Sequence, residues 1–188
     1  MDFTRLNADR LFSDAHKLDY TSQISLHPQY REFLNFFSGK DVIDYNDLVV
    51  GAHMVYGRMP TMLRLNLGNA DDVLLLLNRI KNGAELTIEN LKMMNNSMVG
   101  PSKMLHFLDP ERFAIWDSRI FRYVAGAGKP THIGKAVNYF EYLHHVNGLV
   151  DGIAFLKVHT FVQGRMGVTH DRLRSLEIVM FETDKQVR

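Results

Sequence analysis

Cysteine is absent from the chain, which excludes disulfides, thiolate zinc sites and cysteine-held iron–sulfur clusters as intrinsic features. A long apolar run is missing too: no stretch approaches the roughly 20 apolar residues of a membrane helix. No signal-peptide pattern opens the sequence, so a cytoplasmic protein with no membrane partner is the expectation. Charge of one sign is not in excess either. With 22 Lys and Arg against 21 Asp and Glu the net charge is +1, and bulk electrostatics make no general case for nucleic acid. Repeats, low-complexity linkers and convincing alternating strand patterns are also lacking. What remains is a chain of 188 residues, long enough for one good-sized core or for two small helical lobes sharing a cleft.

The periodicity that is present is helical. Apolar spacing predicts helices over Phe3–Leu18, Pro28–Phe37 and Tyr45–Tyr56, the last behind an Asp44 cap and ended by Gly57. Asn69–Lys81 is bounded by a capping Asn69, by Asp71 and Asp72 at its positive end, and by Gly83. Thr87 opens a helix reaching about Asn95, Asn96–Pro101 reads as a hairpin turn, and Ser102–Leu108 as its second arm. Asp109-Pro110 breaks the chain, and Asp117–Ala125 is helical up to the glycines at 126 and 128. Further helices are predicted over Gly134–Val146, Leu149–Val162 and Thr169–Phe181. The expectation is an all-α, two-lobed helical bundle with a helix-hairpin-helix unit and a cleft between the lobes. It forms a single unit, residues 1–188, in which 87–125 are flanked by helices from 1–86 and 126–188.

Residues 98–120 carry the chemistry. Val99-Gly100-Pro101 followed by an apolar helix leaves backbone N–H groups without intrahelical partners, and such groups can grip an anion. Lys103 follows on that helix. Asp117, after Ile115-Trp116, opens another amphipathic segment as a helix cap whose carboxylate faces a cleft. From Lys103 to Lys135 the basic residues Lys103, Arg112, Arg119, Arg122, Lys129 and Lys135 outnumber Asp109, Glu111 and Asp117, which gives either a local basic face or an ordinary solvated one. His144-His145 lacks the i, i+4 metal spacing, and His132 and His159 do not complete a ligand set, so neither metal nor cofactor is expected. Arg174 and Glu177, three apart, read as a structural ion pair, or as a brace behind the site if buried.

The order of glycine, lysine, short apolar helix, apolar-aromatic-Asp and basic helix resembles the helix-hairpin-helix DNA glycosylases. Within them it resembles the compact bacterial members with an 8-oxoguanine-glycosylase-like fold. The match covers about a sixth of the chain, with echoes at Val55–Thr61 and Arg174–Glu177. The resemblance implies a monomeric enzyme that flips a damaged or modified base out of duplex DNA and cuts its glycosidic bond, leaving an abasic site. The base would be an 8-oxoguanine-like lesion or a hypermodified base, including one from phage DNA. Some members carry a four-cysteine cluster, which this chain cannot form.

By that resemblance Trp116-Asp117-Ser118-Arg119 is the catalytic segment, with Asp117 stabilising the positive charge at the sugar. Lys103 is either a Schiff-base nucleophile or a phosphate contact. It stands three residues after Gly100, where better-known members have it two after, and Ser102 takes that place. Val99, Gly100, Pro101, Ser102 and Arg119 would hold the DNA backbone. Trp116 is a core wedge or a wall of the base pocket, and Tyr56, Arg58 and Met59 are candidates to fill the gap left by the flipped base. The rival reading is a non-catalytic helix-hairpin-helix DNA-binding module or an all-α interaction protein.

Overall fold

Within Leu173–Asp184 the consecutive apolar residues Ile178-Val179-Met180-Phe181 cover every side of one helical turn, which a surface helix does not do. In the computed structural model, which describes residues 2–57, 70–94, 97–126 and 132–187, the segment forms a central helix. The described residues contain ten α-helices and no strand. In chain order they are α1 (Ala8–Ala15), α2 (Thr21–Ser38), α3 (Tyr45–Tyr56), α4 (Ala70–Lys81), α5 (Ile88–Met94), α6 (Val99–Leu108), α7 (Ser118–Ala125), α8 (Ala136–Asp151), α9 (Leu156–Met166) and α10 (Arg172–Gln186). A 3-10 turn at Ile153–Phe155 separates α8 from α9. None of these helices is long and apolar enough to cross a membrane.

Helix α10 is wrapped by α1, α7, α8 and α9, while α2, α3 and α4 pack on α6, and α5 reaches across to α8. One buried apolar cluster runs through all of them from Leu6 to Met180. At the contact of α2, α3 and α6 the backbone comes close: a Cβ added to Gly51 would stand 2.5 Å from Phe37 Cζ and 3.2 Å from Met104 Cε. Only glycine lets those side chains in.

Local chemistry explains most boundaries. Asp44 caps α3 through the Asp47 N–H and Asp47 reaches back to the Asp44 N–H, a complete capping box. Thr87 and Asn90 exchange side-chain bonds with each other's N–H at the start of α5. Helix α2 begins at Thr21, seven residues ahead of the predicted Pro28, and carries that proline inside it. Its buried face, Gln23, His27, Tyr30 and Phe37, keeps helical spacing across the proline, but the first half of that face is polar and gives no apolar signal. The last helix is capped by Asp171, not Thr169, because the Asp171 carboxylate receives the Arg174 N–H at 2.7 Å.

Helix α6 also starts earlier than the sequence suggests. Gly100 and Pro101 lie in its first turn and are buried, and the Ser102 N–H already closes a helical bond on Met98 O. Proline is tolerated there because a first-turn N–H has no intrahelical acceptor to lose. The predicted hairpin turn at 96–101 is therefore helical from Val99 onward.

Candidate active site around Asp117

Between α6 and α7 the chain runs non-helical through the interior. Phe113, Ala114 and Trp116 are buried, and with no strand beside them their backbone groups need other partners. Side chains supply these from three helices. His106 Nδ1 donates to Phe113 O at 2.7 Å, and Tyr139 and Tyr142 hydroxyls donate to Ala114 O at 3.1 Å and Ile115 O at 3.3 Å. The Ile115 N–H donates to Glu177 Oε1. Ser102 Oγ accepts the Trp116 N–H at 3.0 Å and lies 3.2 Å from Trp116 O. Asn147 Nδ2 donates to Arg112 O at 3.1 Å.

This clamped segment delivers Asp117 to the start of α7. Its backbone is extended (φ −140°, ψ −178°), and Oδ1 accepts the N–H groups of Arg119 at 2.9 Å and Ile120 at 3.1 Å. Both bonds fall on one oxygen. The residue is half-buried, and Oδ2 makes no hydrogen bond among the described residues. The Ser102–Trp116 bonds bring the first turn of α6 against this segment, so Lys103, itself half-buried, and Asp117 each adjoin a member of one bonded pair.

Behind Asp117 lies a buried polar network. Glu177 is almost wholly enclosed, with Arg174 Nη1 at 3.5 Å from Oε2 and His106 Nδ1 at 3.4 Å from Oε1. Burial pushes its carboxyl up to about 7, against the pull of Arg174. His106 is driven down to about 4 by burial, so it is neutral. Since its Nδ1–H points to Phe113 O, Nε2 is left to accept the Tyr30 hydroxyl at 2.9 Å. That hydroxyl also stands 3.3 Å from Asp171 Oδ2. The Arg174 guanidinium lies 4.4 Å from the Tyr30 ring centre and donates to Gln23 at 2.9 Å.

No family model, curated protein or solved structure matches the chain.

The remaining sequence candidates fall into three groups. Trp116 is fully buried, with its indole N–H on Ile133 O and its ring 4.5 Å from that of Tyr142, so it anchors the segment from the core. Ser102 is likewise enclosed, and its hydroxyl is used internally. Val99 and Gly100 keep first-turn N–H groups that have no intrahelical acceptor, although Gly100 is buried. Tyr56 ends α3, while Arg58 and Met59 lie outside the described residues.

The anticipated basic face is largely engaged. Arg122 grips both oxygens of Asp184, Arg119 approaches the same carboxylate at 3.5 Å, and Arg112 donates to the carbonyls of Ile80 and Ala84. At the other end of α7, Thr4, Arg5, Asn7, Arg10, Tyr123 and Gly126 line an open cleft of about 490 Å³. Among the described residues no group of three or more His, Asp or Glu is arranged to hold a metal ion.

Tyr139, Tyr142 and Asn147 were invisible as site residues because they look like ordinary members of an amphipathic helix. Glu177 did leave a signal: a carboxylate inside the run Leu176-Glu177-Ile178-Val179-Met180 is out of place unless it is paired.

Proposed function

We propose that the protein is a DNA glycosylase and that Asp117 is its catalytic carboxylate. One observation carries the reading: a buried, side-chain-clamped segment ends in a half-buried carboxylate with one oxygen fixed by two N–H groups and the other without a hydrogen bond among the described residues. Such a group meets the need of glycosidic cleavage. As the bond from C1′ to the base nitrogen breaks, its electron pair leaves with the base. Positive charge grows on the sugar, and a fixed carboxylate stabilises it. Water then gives hydroxide to C1′ and a proton to the departing base, leaving an abasic site.

The target must first leave the stack, at about a few kcal/mol, least for a damaged base. Lys103 acts either as an amine nucleophile at the same carbon or as a phosphate contact, helped by the Val99 N–H, which has no intrahelical acceptor. The two-lobed, helix-hairpin-helix arrangement and the monomeric, cytoplasmic state belong to this proposal. So do backbone contacts by Arg119 and by the Arg5–Arg10 cleft, which lies about 12 Å along α7 from Asp117.

The test is a panel of duplexes carrying different modified bases. The wild type should release at least one base. Asp117→Asn, which caps a helix as well as aspartate does, should lower that rate by at least about a hundredfold with folding and DNA binding retained. Borohydride trapping of a protein–DNA adduct identifies Lys103 as nucleophile, whereas base release without an adduct makes it a binding residue. The rival, a non-catalytic DNA-binding or interaction module, draws support from the fact that the two bonds on Asp117 Oδ1 are those of any helix cap. It is favoured if no duplex yields an abasic product.

A further inference from the structure

We propose that Glu177 is a positioning residue that holds Asp117 in place through the Ile115 N–H. The inference rests on the glycosylase reading, and Glu177 itself touches no substrate. Its Oε1 receives the N–H two residues before Asp117. The charged and titratable groups facing it are Arg174 and Asp171 from α10 and its cap, Tyr30 from α2, His106 from α6, Tyr139 and Tyr142 from α8, and Asp117 ahead of α7.

The ion pair with Arg174 does not account for a carboxylate at this position. Its Oε2 is buried with no hydrogen-bond partner, and its nearest cation, at 3.5 Å, does not close a hydrogen bond. A buried pair of this kind is commonly no more stabilising than well-packed apolar residues of the same volume. What an apolar residue would not supply is an acceptor for Ile115. Without one, residues 115–117 can rotate, and a shift of about 1 Å in a reacting group costs about a hundredfold in rate.

Three variants separate geometry from charge. Glu177→Gln keeps an acceptor of the same reach and should retain kcat within about threefold. Glu177→Asp keeps the charge but withdraws the acceptor by about 1.5 Å, and Glu177→Leu removes both. These two should lose about 10- to 100-fold in kcat, with KM for DNA unchanged within twofold. In labelled protein the Arg119 and Ile120 amides, which bind Asp117, should shift in the Asp and Leu variants and stay in place in Gln.

An active Asp variant beside an inactive Gln variant would overturn the proposal, as would Asp and Leu variants at full kcat. Amides of Arg119 and Ile120 that do not move in the Asp variant would also overturn it. If the Leu variant does not fold, the Gln–Asp pair decides. Should the wild type release no base from any duplex, the glycosylase reading falls and the amide shifts alone judge the positioning role.

Discussion

Replacing Ser102 by alanine isolates one clamp on the interior segment. The hydroxyl is fully enclosed, receives the Trp116 N–H at 3.0 Å, and has its own proton within reach of Val99 O at 3.1 Å or Trp116 O at 3.2 Å. Alanine leaves the Trp116 N–H without an acceptor, and a buried donor so stranded costs about 1–3 kcal/mol. Against this, alanine is the better helix former, by about 0.5 kcal/mol. The net loss is about 0.5–2.5 kcal/mol. For a chain of this size it appears as a fall in melting temperature of about 1–10 °C, with a matching drop in urea midpoint at unchanged m-value. The Trp116 amide should also exchange faster than its neighbours in the core. Ser118→Ala, on the half-buried first residue of α7, is the control and should stay within about 0.5 kcal/mol. If Ser102→Ala matched that control, the clamp would carry no energy and the reasoning would be wrong.

Tyr139→Phe strands Ala114 O with no change of shape and should cost about 1–3 kcal/mol in urea denaturation; a neutral result would mean that water replaces the hydroxyl. Gly126, at φ +83° and ψ 179°, occupies a region essentially reserved for glycine, so Gly126→Ala should lower stability by about 1–3 kcal/mol. Gly51→Ala, which brings a methyl group against Phe37 and Met104, should cost a similar about 1–3 kcal/mol by overpacking. Acid should weaken the fold in a defined window. Burial lowers His106 and His170 from 6.5 to about 4, so the unfolded chain binds more protons at these sites, and the stability they contribute above 6.5 is lost as pH falls through 4. Glu177, raised from 4.5 to about 7, works the other way: its contribution is complete below 4.5 and lost as pH rises through 7. Burial also lowers His27 and His159 and raises Asp171, so four histidines oppose two carboxyls, the urea midpoint should fall between about pH 6 and 4, and His170→Gln should flatten that fall. A midpoint that rises on acidification would refute the assignment.

How much of this was legible follows from which signals are local. The capping residues Asp44, Thr87 and Asp117 and the stop at Asp109-Pro110 act within four residues, and each stands where the sequence puts it. Asp117 was found as a cap for that reason. The start of α2 was missed because Gln23 and His27 are buried through tertiary partners: Gln23 donates to Glu182 at 2.6 Å across 159 residues. The sequence suggests a turn where α6 begins because Gly-Pro is turn-forming on its own, whereas burial of Gly100 and Pro101 favours helix here. The break between α8 and α9 fell late for a similar reason, since Gly148 lies inside α8 and Gly152 ends it. Of the six side chains that hold residues 112–116, Glu177 alone leaves a sequence signal, as a carboxylate inside an apolar run, whereas Tyr139, Tyr142 and Asn147 act from a helix 25, 27 and 35 residues away from their partners and look like ordinary helix residues.

An all-helical chain does not need an interior extended segment. Two helices are ordinarily joined at the surface, where water satisfies the backbone. Here the joint is buried, so each of its carbonyls and N–H groups demands its own partner, and the register must be right for His106, Tyr139, Glu177, Tyr142 and Ser102 together. A slip by one residue would present the wrong group to every one of them, leaving buried atoms unpaired at about 1–3 kcal/mol each. That all-or-none dependence fixes the segment more tightly than apolar packing would, because packing tolerates small sliding while a hydrogen bond loses strength steeply with angle. The group at the end of the segment inherits this precision. A helix cap needs far less, since an aspartate on a surface loop reaches two N–H groups equally well. The excess of positional control over what capping requires is the physical reason to read Asp117 as a preorganised charge.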